Sequence, residues 1–152
     1  MYSGRIFVSN VRSGTVTRLD LDVDLGGVFV KQATQIASGY TSHSDPAALI
    51  VGPTGLAYDA NADVLYVVST AVMRFSQSRT PAQQITQMGP GTVIYNDPAH
   101  LRGPLGLAFA PNGRLLTSND DAPSVTSTTP PLYGAHGQAA HGRHSDAVFL
   151  AD

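Results

Sequence analysis

The sequence contains no cysteine. Disulfide frameworks, thiolate metal sites and thiol nucleophiles are therefore excluded, while the redox compartment stays open. Charge is scarce as well: charged residues make up 13%, the formal net charge is -2 and the isoelectric point is about 6.2. No Lys/Arg cluster is present to neutralise a row of phosphates, so nucleic acid is not an expected partner. No apolar run approaches the roughly 20 residues of a membrane span, and membrane insertion is not expected. The chain opens Met1-Tyr2-Ser3-Gly4-Arg5 and enters a strand-like run at once, without a basic segment leading into an apolar stretch. No signal peptide is visible. Gly-x-Ser-x-Gly elbows, His-Glu-x-x-His pairs and phosphate-binding glycine loops are also missing.

What is present suits a globular chain rich in turns. Hydrophobic residues at 42% set it apart from highly charged disordered sequences. Its 152 residues are enough for one ordinary domain, which buries roughly 70% of its unfolded surface. With 15 glycines and 10 prolines, an all-β chain with many turns is favoured over a helical bundle.

A repeat organises most of the sequence. Asp45–Thr70 reads DPAALIVGPTGLAYDANADVLYVVST, and Asp97–Asp120 reads DPAHLRGPLGLAFAPNGRLLTSND. The offset is about 50 residues, near the upper end of blade periods. The copies share Asp-Pro-Ala, a leucine (Leu49, Leu101), Gly-Pro-x-Gly-Leu-Ala, an aromatic (Tyr58, Phe109), an asparagine turn and a second apolar run. Gly4-Arg5-Ile6-Phe7-Val8-Ser9-Asn10 parallels Gly113-Arg114-Leu115-Leu116-Thr117-Ser118-Asn119, so the chain starts partway through a unit.

Each part of the unit has a physical reading. In Asp45-Pro46-Ala47 and Asp97-Pro98-Ala99, an aspartate oxygen is placed to cap a short helical turn before the leucine packs inward. Gly-Pro-x-Gly supplies a tight turn and lets the backbone pass close to a neighbour, feeding Leu56-Ala57-Tyr58 and Leu107-Ala108-Phe109. Asn61 and Asn112-Gly113 read as hairpin turns, where left-handed backbone costs least. The strands beside them are then antiparallel. Val64–Val68 and Leu115–Thr117 are nearly continuously apolar, as strands covered on both faces are. Thr15–Asp22 alternates, with Leu19 and Leu21 on one face and Arg18, Asp20 and Asp22 on a solvated one; Val72–Phe75 takes its place in the next unit. Val28–Ile36, Gln84–Met88 and Thr92–Tyr95 are candidate outer strands.

The pattern Gly-Pro-x-Gly-Leu-Ala-aromatic, an Asn-Gly-type turn, then an apolar strand ending in Ser-Asn or Asn-Asp resembles the NHL-repeat-type β-propeller. It is also similar to the related gluconolactonase-like (SMP-30-like) propellers, over roughly residues 4 to 120. The resemblance implies an incomplete β-propeller of about two to three antiparallel blades, since even a four-bladed ring needs about 160 residues. The expected division is a partial first blade over 1–44, a second over 45–96, the start of a third over 97–121, and an irregular or disordered His/Gly/Ala-rich tail over 122–152. The chain is then expected to be a fragment, a truncated product, or part of an assembly completed between chains. The family also allows a secreted or periplasmic parent.

Gluconolactonase-like enzymes hold a divalent cation with oxygen ligands, two of them from the variable residue of Pro-x-Gly. The corresponding positions here are Thr54 and Leu105. Leucine has no side-chain oxygen and a threonine hydroxyl is a poor substitute, which argues against the hydrolase. The implied function is a non-enzymatic binding or scaffold module that contacts a protein partner, or itself, through loops and exposed blade edges. A divalent-cation-dependent lactonase whose ligands come from missing blades is the alternative. Other polar groups have plainer explanations. His136, His141 and His144 match no metalloprotease spacing and sit among glycines, as a solvated tail does. Asn119-Asp120-Asp121 are turn formers, and Ser118, His100, His43 and Arg102 lack any partner motif. No catalytic, cofactor-binding or metal-binding residue is assigned, and no cofactor is expected. After Asp121 the repeat dissolves, through either a loop insertion or an end to the family-derived sequence near Ser124.

Overall fold

The structure, a computed structural model, describes residues 2–45, 49–83, 85, 88–98, 101–119 and 147–149. The described residues are all-β, in antiparallel sheets that do not close on one another. No helix among them is long and apolar enough to cross a membrane. The first sheet is a meander of β1 (Tyr2–Asn10), β2 (Thr15–Asp24) and β3 (Gly27–Ala37). A hairpin follows, β4 (His43–Asp45) with β5 (Leu49–Val51). The second sheet is a four-stranded meander of β6 (Pro53–Asp59), β7 (Val64–Ser69), β8 (Arg74–Arg79) and β9 (Thr92–Asn96). The third comprises β10 (Pro104–Phe109), β11 (Leu115–Asn119) and β12 (Ala147–Phe149).

The sequence repeat is repeated pairing. Leu56, Ala57 and Tyr58 of β6 lie opposite Val67, Tyr66 and Leu65 of β7. Leu107, Ala108 and Phe109 of β10 lie opposite Thr117, Leu116 and Leu115 of β11. Each ladder has an irregularity just after its proline, where Pro53 faces Ser69 and Pro104 faces Asn119. Proline lacks the donor a regular ladder uses, and the glycine two residues on accommodates the shift.

The second sheet is packed from both sides, and strand alternation decides which side chain serves which neighbour. Val16, Ile36, Ala37 and Tyr40 pack on Leu65 and Val67, with Phe7, Leu56 and Tyr58 against them. On the opposite face, Ala57, Val68 and Phe75 pack with Leu101 and Leu115, joined by Tyr66, Met73, Tyr95 and Leu107. The two interfaces use matching positions. Phe7 tilts onto Tyr58 with ring centroids 4.8 Å apart, and Tyr66 meets Phe109 edge-on at 5.6 Å. Such ring pairs add about 1 kcal/mol to their burial.

Backbone approaches backbone at Gly55. A Cβ there would lie 2.6 Å from the Leu105 carbonyl oxygen and 2.7 Å from the Leu107 nitrogen. Those atoms belong to β10 and cannot swing aside as a side chain does, so glycine is a steric requirement where β6 passes β10.

Several expectations are corrected. Arg18, expected on a solvated face, is 6% exposed. Its Nη1 donates to the carbonyls of Pro81 and Ala82 at 3.0 and 2.9 Å, and its Nε and Nη2 both donate to Asp20 Oδ2. Charge hides at that face because it joins the first sheet to the segment after β8. The left-handed residue of the β6–β7 hairpin is Asp63 (φ 48), not Asn61, whose amide instead donates to Asp59 Oδ1 at 2.9 Å. Val72 and Met73 lie in a turn, Met73 at φ 48, and β8 begins only at Arg74. Asp45 ends a strand paired with β5, and residues 46–48, where a helical turn was expected, lie outside the described residues. The Leu101 amide donates to the Asp97 carbonyl at 2.8 Å and Leu101 is fully buried, while residues 99 and 100 of the second expected turn lie outside the described residues. Thr92–Tyr95 becomes β9. Of Gln84–Met88, residues 84, 86 and 87 lie outside the described residues, and Met88 bridges Ala37. Most of the tail 122–152 also lies outside them, but Ala147–Phe149 is a strand beside β11 rather than irregular chain.

Two substitutions test this packing by urea denaturation. Gly55→Ala is expected to cost about 3 kcal/mol through overpacking against backbone, whereas Gly4→Ala, with nothing within 4 Å of the added carbon, changes stability by less than about 0.5 kcal/mol. Equal effects would show that β6 and β10 can separate freely. Arg18→Leu is expected to cost about 3 kcal/mol, at the low end for a buried partner because Arg5 Nε still donates to Asp20. A neutral outcome would mean that the contacts with Pro81 and Ala82 hold nothing together.

Candidate functional site

The positions where a gluconolactonase-like chain would bind a cation stand at the heads of β6 and β10. Thr54 Oγ1 donates to the Pro104 carbonyl at 2.8 Å, with the Val68 carbonyl at 3.3 Å. The Thr54 carbonyl accepts from Ser9 Oγ at 2.6 Å. Thr54 thus links all three sheets, and its hydroxyl serves a backbone carbonyl. Leu105 is 42% exposed and presents carbon. Among the described residues, no group of three or more His, Asp or Glu gathers in a metal-holding arrangement.

The remaining sequence candidates do not converge. Ser118 Oγ accepts from the Gly106 amide at 3.3 Å, and Asn119 Oδ1 from the Arg102 amide at 3.1 Å. Both act as local braces across the third sheet. His43 is an exposed residue of β4. His100, Asp120, Asp121, His136, His141 and His144 lie outside the described residues. Asp97 Oδ2 accepts from the Tyr95 hydroxyl at 2.9 Å, tying the aspartate to the end of β9.

Two features escaped sequence reading. The first is a groove of about 310 Å³ where the hairpins of the second and third sheets meet, lined by Tyr58, Asp59, Ala60, Asn61, Phe109 and Gly113. Its aromatic and turn residues were legible one by one, but their convergence needs the sheets stacked. Asp59 Oδ1 accepts from the amides of Asn61 and Ala62, so this carboxylate organises its own turn. The groove offers aromatic edges and backbone, without a nucleophile and base side by side.

The second is Asp63. Its Oδ1 accepts from the Tyr58 hydroxyl at 2.8 Å and the Ala82 amide at 3.1 Å, its Oδ2 from Gln83 Nε2 at 3.4 Å, and its carbonyl from the Thr80 amide at 2.7 Å. One acidic residue in a left-handed turn thereby holds β6 to the segment after β8. Burial, followed by the hydrogen bond to Asp63 and that residue's charge, pushes the Tyr58 phenol up from its ordinary 10.0, with Arg5 opposing and Asp59 adding. Tyr95 is raised by burial and then by Asp97 in the same way. Tyr40 is raised by burial, which the nearby Ser76 hydroxyl opposes; its own oxygen is buried without a hydrogen-bond partner. These phenols are structural.

No family model, curated protein or solved structure matches this chain.

The raised tyrosines set a pH dependence. The folded state holds these protons more tightly than the unfolded chain, so their stabilisation is complete below 10.0 and is lost as pH rises from there through the folded values. Stability measured in urea is expected to fall above pH 10.0, and to fall less steeply in the Tyr58→Phe/Tyr95→Phe double variant. An unchanged slope would remove the two tyrosines as its source.

Proposed function

We propose that the chain is a non-enzymatic β-propeller module of the NHL type, a binding or scaffold unit belonging to a larger ring of such sheets. The repeated ladder supports the architecture, together with the matched aromatic contacts on the two faces of the second sheet. The observation that carries the non-enzymatic reading is the state of the two variable Pro-x-Gly residues. Thr54 directs its hydroxyl to a carbonyl and Leu105 offers carbon, so an oxygen-ligated divalent ion is deprived of both side chains that would reach it from these strands. The module then acts through what its sheets and loops present to a protein partner, since a fold by itself assigns no chemistry.

The test is a calorimetric titration of calcium, and separately of zinc, into the chain carrying His136→Ala, His141→Ala and His144→Ala. No stoichiometric site of micromolar affinity is expected. A one-to-one micromolar site in this variant would overturn the proposal in favour of a cation-dependent, lactonase-like hydrolase.

A further inference from the structure

Tyr58 and Phe109 hold the same position of the repeat, opposite Leu65 and Leu115, and each turns toward the sheet before it. Tyr58 meets Phe7, and Phe109 meets Tyr66. At Tyr58 a second group fills the seam, because Asp63 Oδ1 accepts from the phenol at 2.8 Å. Asp63 stands two residues before Leu65, and the residue two before Leu115 is Gly113; both are left-handed, at φ 48 and 82. The third unit therefore lacks both halves of that bond, the hydroxyl at Phe109 and the carboxylate at Gly113. A Cβ added to Gly113 would meet nothing within 4 Å, and Phe109 is left 38% exposed. The groove of about 310 Å³ lies where that pair is missing, between two sheets rather than at a free edge.

The facing wall carries the charge. Alternation along β6 puts Asp59 on the face of Ala57, which packs toward the third sheet. Asp59 Oδ1 accepts from the amides of Asn61 and Ala62 at 2.9 and 3.2 Å, whereas its Oδ2 has no hydrogen bond or ion pair among the described residues. No cationic side chain among them lines the groove. An unpartnered carboxylate oxygen and the open flank of an aromatic ring thus border one space. Both favour a cation, and a planar guanidinium satisfies them together, lying on the ring while it donates to the oxygen. A lysine ammonium is more strongly hydrated and has no face to lay on Phe109. The volume stands at the bottom of the range for ligand sites, about 300 to 1,000 Å³. It lodges one side chain and leaves the rest of its owner outside.

We propose that the groove between the second and third sheets binds an arginine side chain presented by a loop of a protein partner, with Asp59 Oδ2 as acceptor and Phe109 as stacking surface. This names the partner chemistry of the binding module, and it rests on that reading only in taking the arginine from a protein.

The test titrates a blocked tripeptide, acetyl-Gly-Arg-Gly-amide, into the isotope-labelled full chain and follows amide shifts by NMR. Saturable shifts centred on Asn61, Ala62 and Gly113 are expected, with a Kd on the order of 1 mM. The citrulline tripeptide has the same shape without the charge and is expected to bind at least about tenfold more weakly. Asp59→Asn is expected to lose about tenfold, since its amide oxygen still braces the turn but the charge is gone. Phe109→Leu is expected to lose about threefold. The citrulline probe keeps the test decisive if either variant fails to fold. Equal binding of citrulline would overturn the proposal, as would shifts centred elsewhere or none that saturate by about ten times the expected Kd. Free arginine, whose own carboxylate is repelled by Asp59, is expected to bind more weakly than the tripeptide; tighter binding would make the groove a metabolite site and remove the protein partner. The same shifts on concentrating the chain alone would give the groove to a second copy and equally overturn the proposal. If calcium or zinc finds a site while the tripeptide binds as stated, the groove stands and only the non-enzymatic reading falls.

Discussion

The structure depends on a sheet that has to be hydrophobic on both sides. Once β6 to β9 are flanked by a sheet on each face, every residue of β6 and β7 must serve one neighbour or the other, and strand alternation assigns it. Leu65 and Val67 go one way; Tyr66 and Val68 go the other. The neighbours also have to meet near their inner strands, which is possible only where one backbone gives up its side chain. Gly55 makes that concession, and Thr54 beside it closes the seam by linking β1, β7 and β10 through polar atoms. The polar atoms of Thr54 are thereby committed to holding the sheets together.

The same constraint explains where the few charges went. A flank sealed by apolar side chains leaves the sheet ends to be tied by polar ones, and Arg18 and Asp63 do this at the segment that follows β8. Arg18 caps two carbonyls there from β2, and Asp63 takes the Ala82 amide from the β6–β7 turn. Withdrawing charge from water costs desolvation, so buried Arg18 and half-buried Asp63 are tolerated because several hydrogen bonds meet each of them. Arg18 carries Asp20 as counterion, and Asp63 accepts the Tyr58 hydroxyl beside it.

Much of this was legible beforehand. Copies of one unit, turns at glycine and asparagine, and an apolar run too continuous for a half-exposed strand together implied antiparallel sheets covered on both sides; the pairing follows that reading in all of β6, β7, β10 and β11, but β7 alone is buried along both faces, whereas Leu105 and Phe109 of β10 are 42% and 38% exposed. What could not be read was anything set by two units at once. Alternation along Thr15–Asp22 correctly separated Leu19 from Arg18 but took the charged face to be the wet one, because nothing local reports that Pro81 and Ala82 lie against it. Asn61 is the better left-handed residue by type, yet Asp63 takes that conformation, where its carboxylate gains three donors. The groove between Tyr58 and Phe109 was hidden for the same reason, since its walls are about 50 residues apart in sequence, one repeat period. Of the candidate polar residues that are described, Ser118 and Asn119 brace the third sheet and its approach, and His43 is exposed.

The matched copies show how much of a strand's burial comes from its neighbours rather than from its own sequence. Ile6 and Leu65 occupy the same position of the unit, yet Leu65, packed against the first sheet, is 1% exposed and Ile6 is 46% exposed. Packing is most exacting in the seam between the second and third sheets, because Gly55 leaves no space for a Cβ there and the Thr54 hydroxyl is already committed to carbonyl oxygens.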